Sequence, residues 1–589
     1  MKNPALPASE LSTAIWSFNR IFYLTGAFSC CINLLALTPT LYMLQMYDRV
    51  LTSRSELTMW MLTIIMLGLF LLMEAMEAVR SRLLVRAGIK FDAVLRDRVF
   101  TAAFENNLRT SSSGAGQALS DLANVRQFAT SAGLLALFDA PWGPIFIAVV
   151  YFIHPVLGWF AIVTTLLLVA MMWVTEAATK GPLAAANNAA MGSNRFADDN
   201  LRNAEVIEAM GMLPDLRKRW LTRHEVHLKL QAIASDRAGL ITAVTKFLQM
   251  SSSSLILGLG ALYVIKGEIT PGGMIAASIL MGRALGPVNL VINTWKGLVS
   301  ARAAFERLGE LLTKFPPRGK GMSLPAPKGE ILVEGLMATV PGTQTLILRG
   351  FGFGIPAGDV VAVIGPSASG KSTLARLLVG VWMPAAGKVR LDGADVYLWN
   401  KDQLGQHIGY LPQDIELFDG TIAENIARFG EIDSDQVIAA AKRAGVHEMI
   451  LRFPKGYDTP IGRGGSFLSG GQRQRIGFAR ALYGDPSFIV LDEPNSNLDD
   501  AGEAALVKAV MELKAHGKTV VLITHRTSII GVVDKILFLR DGALQAYGPR
   551  QEVLEALMRA QQQAQQVASP APAATQEQPA APQHEVVKP

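Results

Sequence analysis

The chain has 589 residues, of which 50% are hydrophobic and 18% are charged, and its formal net charge is +6. This length exceeds that of one compact domain, and the composition is typical of a protein that is part membrane and part soluble. The basic residues lie mainly between apolar segments, so we interpret them as topology signals and expect no nucleic-acid partner. The only cysteines, Cys30 and Cys31, are neighbours in an apolar run, which argues against a disulfide framework and a metal site.

Six apolar segments in the first half are long enough to cross a bilayer, which predicts contact with membrane lipid. They lie near 21–46, 56–77, 134–153, 156–174, 244–265 and 272–292. The long connections 78–132 and 175–240 carry most of the Lys and Arg of this half, so we predict that both of them, and both termini, are cytoplasmic. The first apolar run is interpreted as a retained span, because it is too long for a signal peptide and others follow it.

Both long connections are predicted to be largely helical, so that the second span continues as a helix through 78–108. The apolar cluster 207–214 interrupts the second connection. Two interpretations stay open for this cluster. It is either a short helix that crosses the tip and docks on the second half of the chain, or an ordinary turn after a helix.

Four charged residues fall in or near the spans: Glu74, Asp139, Lys246 and Arg283. A charge at membrane depth costs several kcal/mol unless it is paired or hydrated, so these residues are candidates for an aqueous path. The alternative is that they lie near span ends, where long side chains reach the interface. The segment 138–142, Phe-Asp-Ala-Pro-Trp, is interpreted as the start of a span, since Pro is tolerated in the first turn of a helix.

The second half contains a strand, a glycine-rich loop and a helix in direct succession, at 360–364, 365–372 and 373–378. This is the context of a phosphate-binding loop, whose backbone N–H groups and helix N-terminus surround phosphates. Lys371 is expected to reach the β- and γ-phosphates of ATP, and the Ser372 hydroxyl to bind Mg²⁺. The predicted nucleotide-binding residues are Gly365, Pro366, Ser367, Ala368, Ser369, Gly370, Lys371, Ser372 and Thr373.

A second buried strand, 488–492, ends in a carboxylate. Asp492 at its tip is predicted to hold Mg²⁺, commonly through water. Glu493 follows at once and is expected to orient and polarise the attacking water. A charged turn after a strand is the weaker alternative, because the phosphate-binding loop lies upstream.

Further motifs follow in a fixed order, and together they resemble the ATP-binding cassette (ABC) ATPases. They are the signature Leu468, Ser469, Gly470, Gly471 and Gln472, the glutamine Gln413 with its neighbours 410–414, the loop 496–499 after the catalytic glutamate, and His525.

The resemblance implies roles for these residues. Gln413 would contact Mg²⁺ and the attacking water, and His525 would contact the γ-phosphate. Ser469 and the glycine N–H groups after it would bind ATP that is seated on another subunit, so the resemblance implies a homodimer with two shared ATP sites.

Two positions depart from the family pattern. Val340 stands where the family usually has an aromatic residue that stacks on adenine, so the way adenine is held is open. Arg463 stands where exporters of this type often have a glutamate before the signature. Neither change touches the residues predicted to hydrolyse ATP.

Six spans fused ahead of the ATPase resemble the exporter branch of the ABC family, and within it the bacterial type I protein secretion ATPases. The segments that carry this finer resemblance are 138–142, 203–212 and 416–426. It implies an inner-membrane position, a periplasmic membrane-fusion protein, an outer-membrane channel and an unfolded polypeptide cargo with a C-terminal signal. Residues 1–20 are too few for the N-terminal peptidase domain of some relatives, so leader-peptide cleavage is not expected.

Proteins with two other functions can carry the same motifs. Export of lipid or small hydrophobic molecules is the alternative, because cargo is not encoded in ATPase motifs. A non-transporting ATPase is disfavoured by the six spans.

The predicted fold is an α-helical six-span membrane domain of the type I ABC exporter kind, fused to an α/β phosphate-loop ATPase domain. The predicted boundaries are a short cytoplasmic N-terminus at 1–20, the membrane domain at 21–312, a linker at 313–329, the ATPase domain at 330–558 and a tail at 559–589. The tail is rich in Gln, Ala and Pro and lacks apolar periodicity, which predicts disorder. It is either a tether or an inert extension.

Overall fold

The computed structural model of the protein describes residues 10–110, 115–201, 203–317, 324–340, 343 and 345–568. The chain divides into two compact units, Met1–Pro317 and Arg318–Pro589, each described here by itself. The first is helical and the second contains all the strands of the described residues.

The first unit consists of helices of very unequal length. In chain order they are α1 Glu10–Trp16, α2 Asn19–Leu35, α3 Thr38–Gln45, α4 Leu51–Ser53, α5 Glu56–Thr110, α6 Ala115–Ala129, α7 Ala132–Asp139, α8 Gly143–Ile153, α9 Pro155–Leu201, α10 Ala204–Ala209, α11 Leu213–Ile265 and α12 Pro271–Lys314. A π-helical segment, Met46–Val50, joins α3 to α4.

Six stretches of these helices are long and apolar enough to cross a membrane, as predicted. They are Asn19–Ser53, Glu56–Arg109, Ala132–Ile153, Pro155–Leu201, Leu213–Ile265 and Pro271–Ile292. Helix α5 has 55 residues, and at 1.5 Å per residue it is about 80 Å long, against about 30 Å for the apolar core of a bilayer. The prediction that the second span continues as a helix is therefore confirmed.

The segment 138–142 does not begin a span, so that interpretation is wrong. Helix α7 precedes it, with the Ser131 side chain accepting a hydrogen bond from the Gly133 N–H at its N-terminus. The turn Ala140–Trp142 is a short 3₁₀ helix between α7 and α8. Pro141 cannot donate a helical hydrogen bond, and the tighter turn accommodates it inside one span.

The short helix proposed near 207–214 lies slightly earlier, as α10, and residues 210–212 form the turn before α11. Met210 in this turn is 71% exposed. Docking of this tip on the second unit stays a prediction.

A buried ion cluster ties three helices of the first unit together. Arg80 of α5, which the sequence placed among the topology signals, is only 4% exposed. Its guanidinium lies 2.8 Å from the Asp139 carboxylate of α7 and 2.6 Å from that of Glu77. It also donates to the Ser29 hydroxyl of α2 at 2.6 Å, and Asn33 of α2 donates to Asp139 at 2.9 Å. The cluster therefore neutralises a charge that an apolar span could not otherwise hold.

The other charged residues near the spans make no hydrogen bond or ion pair with this cluster among the described residues. Arg283 lines a cavity of about 510 Å³ together with Asp139, and Lys246 lines a separate cavity of about 430 Å³. Glu74 is exposed. Whether these residues line a translocation path stays a prediction.

The second unit is built on ten strands and nine α-helices among the described residues. The strands are β1 Ile331–Thr339, β2 Leu346–Ile355, β3 Val360–Ile364, β4 Ala386–Leu391, β5 Ala394–Asp395, β6 Ile408–Leu411, β7 Phe488–Asp492, β8 Thr519–Ile523, β9 Lys535–Arg540 and β10 Ala543–Pro549. The helices are α13 Lys371–Leu378, α14 Lys401–Leu404, α15 Ile422–Ile426, α16 Ser434–Arg443, α17 His447–Leu451, α18 Gly470–Leu482, α19 Asp500–Ala515, α20 Thr527–Ile530 and α21 Arg550–Ala568.

The central sheet has the strand order β10-β9-β3-β8-β7-β6, and its strands are parallel except at the β9–β10 edge. Every residue of β7 and β8 is buried, as is typical of parallel strands covered on both faces. A smaller antiparallel sheet has the order β2-β1-β4-β5. The predicted fold class, a six-span helical domain followed by an α/β ATPase domain, is confirmed.

Helix α21 continues to Ala568, so the first part of the predicted disordered tail is helical. The rest of the tail, 569–589, lies outside the described residues.

The ion cluster leads to a stability prediction. Asp139→Leu leaves Arg80 buried with Glu77 as its single carboxylate, and should lower the free energy of unfolding by about 3 kcal/mol. The double variant Arg80→Met/Asp139→Leu should be clearly more stable than Asp139→Leu alone, because the buried cation is removed and the charge that is left, on Glu77, is 35% exposed. Denaturant titrations of the purified protein in detergent, followed by circular dichroism, measure both. If the double variant loses as much free energy of unfolding as the single variants Arg80→Met and Asp139→Leu together, the pairing is contradicted.

Candidate functional site

The glycine-rich loop connects β3 to α13 at the carboxyl end of the central sheet. Gly365 has φ 154°, and a Cβ there would collide with the Leu539 carbonyl oxygen of β9. Ala368 has φ 62°, a left-handed conformation that costs energy outside glycine. Strain of this kind is characteristic of functional loops, and it keeps the backbone in a tight curve around the N-terminus of α13.

The Lys371 side chain folds back over this loop. Its Nζ donates to the Gly365 carbonyl at 2.9 Å and to the Pro366 carbonyl at 2.8 Å. The ammonium is thus held at the centre of the loop by two backbone oxygens. The third N–H of the ammonium is free to meet a phosphate oxygen.

The rest of the loop divides into an exposed and a buried part. Pro366, Ser367 and Ala368 are exposed, whereas Ser369 and Thr373 are 3% and 8% exposed. The Ser369 hydroxyl is buried and has no hydrogen-bond partner among the described residues. The exposed part of the loop can therefore present its backbone to a ligand, whereas the Ser369 side chain is enclosed.

Asp492 ends β7 and is 2% exposed. Burial raises the pKa of its carboxyl above the ordinary 3.8, a hydrogen bond from the Ser372 hydroxyl lowers it, and the charge of Glu493 raises it again. Its Oδ1 is buried without a hydrogen-bond partner. A buried carboxylate oxygen with no donor is an unstable arrangement, and a cation would stabilise it.

These atoms fit a Mg²⁺ ion. The Ser372 hydroxyl is hydrogen-bonded to the Asp492 carboxylate, and the Gln413 amide is held against the next residue, Glu493. Hard oxygen ligands of this kind are the ones Mg²⁺ prefers in proteins.

Glu493 adopts φ 49°, which is unusual for a glutamate, and its backbone N–H donates to the Ile523 carbonyl of β8 at 3.0 Å. Its carboxylate accepts a hydrogen bond from the Gln413 amide at 3.1 Å. The strained backbone turns the side chain out of the sheet, and Gln413 orients it. Two residues that lie 80 positions apart in the sequence are therefore neighbours.

His525 follows β8 and is exposed. Because β8 lies between β3 and β7 in the sheet, His525 emerges between the glycine-rich loop and Glu493. Its neighbour Thr524 is buried and donates to Asn495 at 3.3 Å, which fixes the start of this loop.

The signature forms the N-terminus of α18. The Ser469 hydroxyl accepts from the Gln472 N–H at 3.3 Å, and the Gln472 side chain accepts from the Ser469 N–H at 2.8 Å. This reciprocal capping leaves the N–H groups of Gly470 and Gly471 in the first turn, at the positive end of the helix dipole. None of the hydrogen bonds of the described residues joins Ser469–Gln472 to the loop 365–372.

Gln474 is a residue that the sequence analysis missed. It is 1% exposed and donates to the Glu493 carbonyl at 3.1 Å, while its oxygen accepts from the Asn497 N–H at 2.9 Å. It therefore couples the signature helix to the residues that follow β7. No feature of the local sequence distinguishes it from the other polar residues of this helix.

The structure also locates the two departures from the family pattern. Val340 follows β1 and is 37% exposed, so it presents an apolar side chain but no ring. Residues 341, 342 and 344 beside it lie outside the described residues, as does the side chain of Arg463.

Comparisons with known proteins agree with this geometry. The family model described as "ABC transporter" matches residues 348–496, and "ABC transporter transmembrane region" matches residues 22–288. The chain is 45% identical to the type I secretion system ATP-binding protein PrsD of Rhizobium meliloti (strain 1021) over 556 residues, which cover 94% of this chain and 96% of the relative.

More distant similarities extend the comparison. The exotoxin translocation ATP-binding protein PaxB of Pasteurella aerogenes is 27% identical, over 92% of this chain and 77% of the relative. A solved structure of a bacterial Atm1-family ABC exporter with ATP bound matches with a TM-score of 0.78 at 23% identity, over 94% of this chain and 99% of the other. At that identity it supports the fold alone.

The raised pKa of Asp492 predicts a pH dependence. A carboxyl whose pKa is higher in the folded state favours folding when protonated, so this contribution is lost as the pH rises from 3.8 through the raised value. Without nucleotide and metal, Asp492→Asn should therefore be more stable than wild type at pH 7. The gain in free energy of unfolding should be about 1.4 kcal/mol for each pH unit by which the pKa of Asp492 is raised. The advantage should shrink as the pH falls through the raised pKa towards 3.8.

Thermal unfolding of the full-length protein across this pH range measures the effect. Asp485→Asn is the matched control. Its carboxylate is paired with Lys518 and Arg443, which hold its pKa below the ordinary value, so that substitution should destabilise. A wild-type-like melting curve for Asp492→Asn at every pH would contradict the account of Asp492.

Proposed function

The chain belongs to the ABC transporter family, among its type I secretion ATP-binding proteins, and we propose that it exports unfolded proteins with C-terminal secretion signals at the expense of ATP. It is a multi-pass inner-membrane protein with its ATPase unit in the cytoplasm. The observation that carries the proposal is the 45% identity to a type I secretion ATP-binding protein over nearly the whole of both chains. Since this similarity includes the spans, it extends to the part that meets cargo.

The proposed partners follow from the same relationship. They are a periplasmic membrane-fusion protein, an outer-membrane channel, a secreted polypeptide and a second copy of this chain. The relatives named for toxin translocation support a polypeptide cargo, because they match 92% of this chain.

For nucleotide binding, the N–H groups of the loop 365–370 and of the first turn of α13 would surround the phosphates of ATP. Lys371 would donate its third N–H to a β- or γ-phosphate oxygen. Ser372, Asp492 and Gln413 would hold Mg²⁺, which supplies neutralisation of phosphate charge when bound.

For hydrolysis, Glu493 is the proposed base. Its carboxylate is oriented by Gln413, so it can take the proton of a water positioned beside the γ-phosphate. His525 emerges beside it from β8 and would contact the γ-phosphate. Gln413 touches Glu493 directly, so the position of this residue can report the state of the site.

The signature is proposed to serve a second subunit. Ser469 is occupied by capping its own helix and has no bond to the loop 365–372 among the described residues, yet α18 offers unused N–H donors. A homodimer would place those donors against ATP on the partner, so that binding of two nucleotides closes the dimer and hydrolysis reopens it. The spans would alternate their access with this cycle.

The proposed function is tested in the organism that encodes the chain. Deleting the gene should remove one or more proteins from the culture fluid, and expressing the wild-type chain should restore them. Glu493→Gln should not restore them, because it loses the base, although the purified variant should still bind ATP and should hydrolyse it at least about a hundredfold more slowly. An unchanged culture fluid in the deletion strain would refute protein export.

Shared ATP sites predict complementation between two inactive chains. Lys371→Ala removes the phosphate-binding lysine, and Ser469→Arg blocks the signature. Each homodimer should lack any intact site, but a mixed dimer combines the intact lysine of one chain with the intact signature of the other. Co-expressed, differently tagged chains, purified through both tags, should hydrolyse ATP above either homodimer. A mixed dimer as inactive as its parents would contradict the shared site.

A further inference from the structure

A cavity of about 430 Å³ lies between α9, α11 and α12, where the apolar parts of these helices end on the cytoplasmic side. It is separate from the ATP site and from the Arg80 cluster. Its volume falls within the range of pockets that bind small ligands or parts of larger ones. We call it the lysine cavity, and its lining residues are Thr175, Thr179, Ser235, Ala238, Gly239, Thr242, Ala243, Lys246, Ile292, Trp295 and Lys296.

All the ionisable groups in this lining are cations. Lys246 comes from α11 and Lys296 from α12, and no acidic residue is among the lining residues. Within the described part of the chain, neither ammonium takes part in a hydrogen bond or an ion pair. Two unpaired like charges that face one cavity repel each other, and an anion between them would relieve this repulsion.

Trp295 adds an independent observation. It is 8% exposed, and its indole Nε1 is buried with no hydrogen-bond partner. An indole N–H can only donate, so leaving it unpaired costs free energy that an acceptor in the cavity would recover. The free groups of the cavity are therefore donors and positive charges, which is the chemistry that recognises a carboxylate or a phosphate.

The walls suit a polypeptide better than a lipid. Gly239 has open space where a Cβ would lie, and Ala238 and Ala243 beside it are small, so a main chain can approach α11 closely. The large apolar side chains of the lining are Ile292 and Trp295, which give little cover for acyl chains. Long apolar surfaces are instead found at a different cavity, lined by Phe160, Phe247 and Met250 among others.

We infer that the lysine cavity binds a carboxylate of the exported polypeptide, held between Lys246 and Lys296 with Trp295 donating to it. This inference rests on the proposed function, which supplies a polypeptide at the cytoplasmic side of the spans. It assigns cargo recognition to a cationic site at the entrance of the membrane unit.

The test uses the full-length protein in nanodiscs of phosphatidylcholine, without nucleotide. The probe is a short dye-labelled Gly/Ser peptide that ends in Glu-Leu with a free carboxylate, and its matched partner ends in Gln-Leu-amide. Fluorescence anisotropy should show the acidic peptide binding at least about tenfold more tightly than the amide, with an affinity that falls as salt is added.

The variants locate the site. Lys246→Gln and Lys296→Gln should each weaken binding of the acidic peptide about tenfold, and Trp295→Phe about threefold, because it keeps the ring and loses the N–H. Lys246→Arg should bind within a few-fold of wild type, since it keeps the charge. Lys229→Gln, an exposed lysine of α11 outside the cavity, is the matched control and should change nothing. Gel filtration and melting temperature check that each variant is folded.

Several outcomes overturn the inference. Equal binding of the acidic and amide peptides would do so, as would normal binding by both lysine variants. A third arm repeats the titration in nanodiscs that contain phosphatidylglycerol. One outcome is that the lipid weakens peptide binding to the wild type but leaves peptide binding to the lysine variants unchanged. In that case the cavity holds a lipid headgroup, and the peptide assignment is wrong.

The cavity and the proposed function can fail separately. If deleting the gene leaves the culture fluid unchanged while peptide binding depends on Lys246 and Lys296, the proposal of protein export is refuted and the proposal of an anion site is supported. If secretion depends on the gene but the lysine variants bind the acidic peptide normally, the proposal of an anion site is refuted and the proposal of protein export is supported.

Discussion

The ATPase unit depends on the burial of three adjacent parallel strands, β3, β8 and β7, of which only Ile364 at the end of β3 is partly exposed. Strands covered on both faces can carry functional groups only where they end, so the chemistry collects at one edge of the sheet. The glycine-rich loop leaves β3, His525 follows β8, and Asp492 and Glu493 end β7. The same burial removes water from Asp492, and it leaves there a carboxylate oxygen that needs a cation. Hydrophobic packing thus leaves a buried carboxylate that a bound cation would stabilise.

The membrane unit buries a cation instead, because its apolar helices enclose the charge of Arg80. The guanidinium is surrounded by acceptors from three helices, and the arrangement fixes α2, α5 and α7 against one another. A buried pair of this kind is weak evidence for stability, since apolar side chains of the same volume often serve as well. The cluster instead fixes the relative positions of the three helices, because a shift of any one of them would break its polar contacts.

The sequence predicted elements whose signal is local. The span count, the succession of strand, loop and helix around Lys371, and the strand that ends at Asp492 all follow from short runs of residues. Contacts across long separations were not predictable in this way. Nothing near Arg80 indicates that its carboxylate lies 59 residues away at Asp139, and nothing near Gln474 indicates its bonds to the residues after β7. The prediction for segment 138–142 was wrong for a related reason. By sequence alone, Pro141 fits the first turn of a helix and the middle of an interrupted span equally well.

The lysine cavity places a constraint on how cargo and ATP communicate. Its walls belong to α9, α11 and α12, which continue as helices from the cavity into the apolar spans, with Pro287 inside α12. If ATP binding changes the separation of these helices, it changes the distance between Lys246 and Lys296, and with it the affinity for a carboxylate. Linkage then requires the reverse effect, because a ligand that favours one helix arrangement must change the affinity for ATP by the same factor. If that condition holds, the proposed carboxylate site would make nucleotide binding depend on cargo without any contact between the two ligands.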